Sequence, residues 1–188
     1  MPVDWLVVGL GNPGSEYAYT PHNVGFEVAA ELARRWDLPR AKKKYAGLIT
    51  DGRIDSAHPP GPRVAVLLPQ TYMNDAGRSV GPARGALAAE LDRVLVIHDD
   101  IDLPFGEIRT RVGGGLAGHN GLKSLRRELG GAGFARVRIG VGRPDSTDPD
   151  IVAGYVLGRW RQDKADVAQL VQRAADVAER IVLGETAP

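Results

Sequence analysis

The stretch Leu6–His22, LVVGLGNPGSEYAYTPH, decides how the chain is read. It opens inside an apolar, β-branched run, Trp5–Leu10, which Gly11 and Pro13 stop as at the end of a buried strand. Gly9, Gly11 and Gly14 satisfy the G-x-G-x-x-G spacing of dinucleotide sites. Context opposes that reading. In a dinucleotide fold a helix begins inside the motif, and an acidic residue ends the next strand about twenty residues on. Here Pro13 interrupts the motif, Ser15–Tyr19 lacks helical periodicity, and Glu31 falls in mid-helix. The loop leads instead to a helix start, with Thr20 as N-cap, Pro21 at the first helical position, and Val24, Val28, Ala29, Leu32 and Trp36 at helical spacing. His22 is therefore expected in the first turn, beside a loop that brings Asn12 and Tyr17 near it.

Working outward, Tyr45–Thr50 and Arg63–Leu68 read as strands around a Pro-rich turn, His58–Pro62, and the preceding PRAKKK (Pro39–Lys44) reads as a solvated basic connector. Gly77–Leu91 reads as a helix and Val94–His98 as an apolar strand. Gly106–Val112 alternates so that Arg109 and Arg111 share one face. Asn120 is a credible N-cap for a helix through Leu122, Leu125 and Leu129. Arg136–Val141 is a further strand, a short segment ends near Trp160, and Gln162–Val182 is an amphipathic helix. Strands alternating with helices predict an α/β single-domain layered fold, residues 1–188, with a central mixed twisted sheet flanked by helices.

Composition narrows function mainly by exclusion. The 188 residues are 43% hydrophobic, enough for a substantial core. Twenty-four basic against 23 acidic residues leave a net charge of +1, so any nucleic-acid surface must be local. Without cysteine there is no disulfide, thiol catalysis or zinc-thiolate site. No basic leader or membrane-length apolar run is visible, and a soluble, cytoplasmic protein is expected.

His98-Asp99-Asp100 closes an apolar strand, and Asp102 follows. Three close carboxylates suit a hard cation, but Asp99 and Asp100 point to opposite faces of a strand. An aspartate holding a histidine's Nδ1–H makes that histidine a better base, while Asp100 and Asp102 suit a turn before Pro104. Asn12, Asn74 and Asn120 each sit in glycine-rich or turn-like sequence. Singly each reads as an Asx-turn or cap; together they offer uncharged donors and acceptors for gripping a peptide backbone and orienting water. No serine lies in a G-x-S-x-G elbow, so water activated by histidine is preferred over a serine nucleophile.

Six blocks in order, GLGNPGSEY (Gly9–Tyr17), HNVGF (His22–Phe26), PQTYMN (Pro69–Asn74), HDDIDLPFG (His98–Gly106), GHNGLKS (Gly118–Ser124) and RVRIGVGRP (Arg136–Pro144), closely resemble the bacterial peptidyl-tRNA hydrolase family. The resemblance implies an enzyme that hydrolyses the ester between a peptide and its tRNA, with no cofactor and no metal. It implies His22 as catalytic base with Asp99 as partner, Asn12, Asn74 and Asn120 placing substrate and water, and Tyr17 and Met73 lining the peptide and 3′-end site. Asn12 or Asn120 would serve the oxyanion. Arg109, Arg111 and Arg138 would contact tRNA phosphates, with Arg136 or Lys123 as helpers. The partner so implied is peptidyl-tRNA, through its acceptor stem, 3′ end and peptide, and a monomer away from membranes is expected. A noncatalytic RNA-binding homologue and a metal-dependent phosphohydrolase built on Asp99, Asp100 and Asp102 are the alternatives. The chain departs from the family pattern at Pro21, where Arg is usual, at Ala76, often Ser, and at Ala117, where a second Gly is usual.

Overall fold

In the computed structural model, which describes residues Met1–Pro188, the N-terminal apolar run is strand β1 (Trp5–Gly9), buried along its whole length. It is followed by α1 (Val24–Arg35), β2 (Lys42–Lys44), β3 (Gly47–Arg53), β4 (Arg63–Pro69), α2 (Gly77–Ala86), β5 (Val94–Asp100), β6 (Ile108–Val112), α3 (Asn120–Leu129), β7 (Ala135–Gly140), α4 (Pro149–Leu157) and α5 (Lys164–Val182). The seven strands form one mixed sheet in the order β2-β3-β4-β1-β5-β7-β6. The central four, β4, β1, β5 and β7, are parallel, and both edges are closed by antiparallel pairs.

Apolar residues on the two sheet faces build two cores. One packs Val7, Leu95 and Val137 against α1 and α5 through Val28, Leu32, Leu170 and Ala174. The other packs Leu6, Val96 and Phe134 against α2 and α3 through Val80, Ala83, Leu122 and Leu125. Strands buried on both faces read as continuous apolar runs, which is why β1 and β5 are plain in the sequence. Strand β2 is not. PRAKKK carries no apolar period, yet Lys42–Lys44 pairs antiparallel with β3, so the expected loop contains an edge strand held by backbone hydrogen bonds alone.

Helix α1 lies unusually close to the sheet. A methyl group on Gly9 would overlap the Gly25 carbonyl oxygen, and one on Gly25 would overlap the Ile97 carbonyl oxygen. Two glycines thus let α1 sit directly over β1 and β5, bringing the residues just before it to the carboxyl end of β5. The order in which strands are added also reverses at β1, with β4 laid down on one side of it and β5 then on the other, and open sheets place their sites at such a point.

Candidate active site

Beyond β1 the chain bends through Asn12, and Asn23 holds the bend. The Asn12 N–H donates to Asn23 Oδ1 (2.8 Å), and Asn23 Nδ2 donates to the Asn12 carbonyl (2.9 Å). One side-chain amide, 1% exposed, satisfies both backbone groups of a buried residue. Sequence reasoning passed over Asn23, whose partner is set by the path of the loop. A short 3₁₀ turn, Pro21–Asn23, precedes α1 with Pro21 buried at its first position. The expected Thr20 cap is replaced, because the hydroxyl donates to the Tyr17 carbonyl (2.9 Å) and closes the turn behind it.

This path sets His22 Nδ1 2.7 Å from Asp99 Oδ2. The other carboxylate oxygen, Oδ1, lies 2.8 Å from Nε2 of His119, which the sequence left without a role. His119, not Asn120, is the N-cap of α3: its Nδ1 accepts the N–H groups of Gly121 (3.1 Å) and Leu122 (3.3 Å). A ring nitrogen that accepts carries no proton, so Nε2 holds it and donates to Asp99.

Asp99 is 2% exposed. Burial alone would raise its pKa, but His22 and His119 hold the carboxyl well below its usual range. For His22, burial pushes the pKa down while the charge and hydrogen bond of Asp99 push it up, and the net shift is upward from 6.5. With Nδ1–H given to Asp99, Nε2 of His22 is the free basic atom. His98 contributes differently. Burial, followed by the neighbouring His119, drives its pKa down to about 3, and its Nδ1–H donates to the Asp99 backbone carbonyl (2.8 Å).

These groups border a cleft of about 760 Å³, walled on its far side by Val152 and Val156 of α4. Asn12, Met73, Asn74 and Asn120 line it with His22, Asp99 and His119. Asn12 accepts the Met73 N–H through Oδ1 (2.6 Å), so its NH₂ is left as the free donor at the cleft. Asn74 and Asn120 are exposed on the rim. Tyr17 is half-buried on the turn behind His22 and does not line the cleft.

The arginines gather on one face of the β6–β7 pair, where Arg109 faces Arg138 and Arg111 faces Arg136. Arg109 Nε donates to Glu107 (2.6 Å) and Arg138 Nε to Asp100 (2.9 Å), whereas Arg111 is exposed and has no acidic partner. Arg136 is 2% exposed, lines the cleft floor and donates to the Gly115 carbonyl (2.8 Å).

The three aspartates do not converge. Asp99 turns to the histidines, Asp100 to Arg138, and Asp102 to Arg143 (3.2 Å). The one set of metal-type donors, His22, Asp99 and His119, lies within 4.8 Å. A metal ligand must offer a lone pair, whereas His119 Nε2 carries the proton that its capping Nδ1 cannot. The donor set does not fit a metal.

Comparison with known proteins accords with this geometry. Residues 6–187 match the family model described as peptidyl-tRNA hydrolase. The chain belongs to the peptidyl-tRNA hydrolase family. It is 46% identical over 178 residues to the peptidyl-tRNA hydrolase of Geobacter sulfurreducens, covering 94% of this chain and 88% of that one. It is 47% identical over 178 residues to the one from Geobacillus kaustophilus, with 94% and 92% covered. The crystal structure of peptidyl-tRNA hydrolase from Acinetobacter baumannii superposes with a TM-score of 0.83 at 37% identity, covering 98% of this chain and 92% of that one.

The positions where this chain departs from the peptidyl-tRNA hydrolase pattern have distinct settings. Ala117 has φ 51°, a left-handed conformation in which glycine avoids the Cβ clash. Ala76 is buried just before α2, whose first N–H, on Gly77, donates to Ser124 Oγ (2.9 Å) of α3. Pro21 is enclosed, so an arginine there would have to extend outward past its neighbours to reach water.

Proposed function

We propose that the chain hydrolyses the ester joining peptide to tRNA in peptidyl-tRNA, releasing the peptide and a reusable tRNA. The observation that carries this reading is the His22–Asp99–His119 triad beside the Asn12 amide, in a cleft of about 760 Å³. Nε2 of His22 takes a proton from water as the oxygen attacks the ester carbonyl carbon. Asp99 stabilises the resulting imidazolium, and His119 holds Asp99 in place. The Asn12 amide, fixed by Met73, donates to the developing oxyanion. Collapse of the tetrahedral intermediate expels the terminal ribose oxygen, which receives the proton from His22 Nε2.

Asn74 and Asn120 position the peptide at the rim beside Met73, and Tyr17 supports the loop from behind. Arg111, free of acidic partners, is the leading phosphate contact, with Arg109 and Arg138 completing the face once Glu107 and Asp100 share them. The continuous sheet supports reading residues 1–188 as one functional unit, acting as a monomer in the cytoplasm where peptidyl-tRNA arises. No helix is long and apolar enough to cross a membrane.

The test is release of free tRNA from an N-blocked aminoacyl-tRNA. Wild type should release it, and His22→Ala should lose on the order of 10²–10⁴ in kcat, the span of general-base catalysis. Full activity in His22→Ala would overturn the mechanism, and an inactive parent that still binds tRNA would favour a noncatalytic homologue.

A further inference from the structure

Three of the five lysines of this chain stand side by side in β2, at the sheet edge opposite β6. All three are exposed, and no ion pair in the molecule involves a lysine. Lysine on an open edge guards against pairing with another chain, and that role ends at the strand. Here it does not end there. Lys43 and Lys44 line a hollow of about 820 Å³ together with Arg78 of α2. The hollow holds one carboxylate, Asp75, 4.0 Å from Arg78, so its balance is cationic.

The hairpin that presents these lysines is held in an unfavourable shape. Its two turn residues, Tyr45 and Ala46, have φ 55° and 50°, where Asn-Gly is the ordinary choice. The turn is pinned by the Gln70 N–H on the Ala46 carbonyl (2.9 Å), and Lys44 Nζ lies 5.0 Å from the centre of the Tyr45 ring. Left-handed non-glycine residues persist where the surroundings over-determine them, and they gather at functional sites. Tyr72, 63% exposed, borders both this hollow and the catalytic cleft, so the two are adjoining surfaces.

We infer that the β2 edge, with Arg78, is a second RNA-binding surface that engages phosphodiester backbone beyond the β6–β7 arginines. It rests on the reading of the substrate as a tRNA ester. The two cationic edges are separated by six strand spacings, about 29 Å, with the cleft between them. The occupant is a further part of the same tRNA: Tyr72 borders both the hollow and the cleft, so the RNA whose ester end lies in the cleft is the one within reach of this edge.

The test combines Lys42→Gln, Lys43→Gln, Lys44→Gln and Arg78→Gln in the full chain and measures binding by fluorescence anisotropy. The probes are deacylated tRNA and a short single-stranded RNA of unrelated sequence, each titrated from about 50 to about 200 mM salt. The expected result is a five- to twentyfold loss of affinity for tRNA and a log–log salt slope shallower by about 3–4, since each of four phosphate contacts contributes about 0.7–0.9. Loss for tRNA bears the inference out, whereas loss for the single strand alone would overturn it in favour of a separate RNA. Unchanged affinity and slope for tRNA would overturn the inference. If the combined variant does not fold, Lys43→Gln and Arg78→Gln taken singly should each flatten the slope by about 0.7–0.9, and no change in either would overturn it equally. Because binding is read without turnover, failure here is separable from failure of the hydrolase reading.

Discussion

His119 donates Nε2–H to Asp99 Oδ1 across 2.8 Å while its Nδ1 caps α3, so one ring ties the catalytic carboxylate to the start of a helix. Asparagine can keep the cap but is too short to reach Asp99. We expect His119→Asn to retain its melting temperature within a few degrees and to lose roughly tenfold in kcat at unchanged KM, about 1.4 kcal/mol. That is the scale of one hydrogen bond to a charged group. His119→Ala should lose the same catalytic increment and about 1 kcal/mol of stability from the missing cap. Wild-type kcat in His119→Asn would show that Asp99 needs no second donor.

The pH dependence follows from His22. Its pKa lies above 6.5 because Asp99 outweighs burial, and only the neutral ring can take a proton from water. The rate should therefore rise with pH through a value above 6.5. In Asp99→Asn burial alone remains, so the acid limb should move below 6.5 while the plateau falls by on the order of 10²–10⁴. A limb that stays in place in Asp99→Asn would mean that a different group is titrating.

Asn23 offers a test of the loop apart from the chemistry. Asn23→Ala strands the buried N–H and carbonyl of Asn12, at about 1–3 kcal/mol for each unsatisfied group. We expect a loss of about 3 kcal/mol in urea unfolding and a rise in KM as the Asn12 amide drifts. A loss below about 0.5 kcal/mol would mean that the bend holds without Asn23.

Glu27 gives the fold a titration of its own. Burial raises its pKa from 4.5 to about 7, and its Oε2 is enclosed without a partner. Between those values the folded chain holds a proton that the unfolded chain has released. The contribution to stability is thus complete below pH 4.5 and is lost as pH rises through about 7. Glu27→Gln should flatten the stability profile across that window and raise the melting temperature at pH 8. An unchanged slope in the variant would rule Glu27 out as its source.

The sheet centre was legible because it depends on local pattern: β-branched runs buried on both faces and a proline-marked helix start; the pairing of His22 with Asp99, 77 positions apart, was legible only through the family resemblance. Other features depend on distant geometry. His119 sits among glycines and an asparagine that better fits a cap, and its bond to Asp99 spans 20 positions. Lys42–Lys44 is a strand only because β3 offers it a backbone ladder, and three lysines carry no period that would announce one. The Thr20 hydroxyl had two acceptable roles, and the turn behind it selected the one unrelated to the helix.

Gly9 and Gly25 do not line the cleft, yet the spacing they permit is what delivers His22 to Asp99. In a saturation screen scored by activity, both positions should return glycine alone, indistinguishable at that level from the histidine itself. Solubility would separate them, since inactive variants at 9 or 25 should aggregate or melt early while those at 22 stay folded. The two should also be epistatic: once either carries a side chain, α1 has already lifted and the second substitution costs little more. The first glycine of an apparent cofactor fingerprint is thus half of a spacer whose other half lies in the next helix.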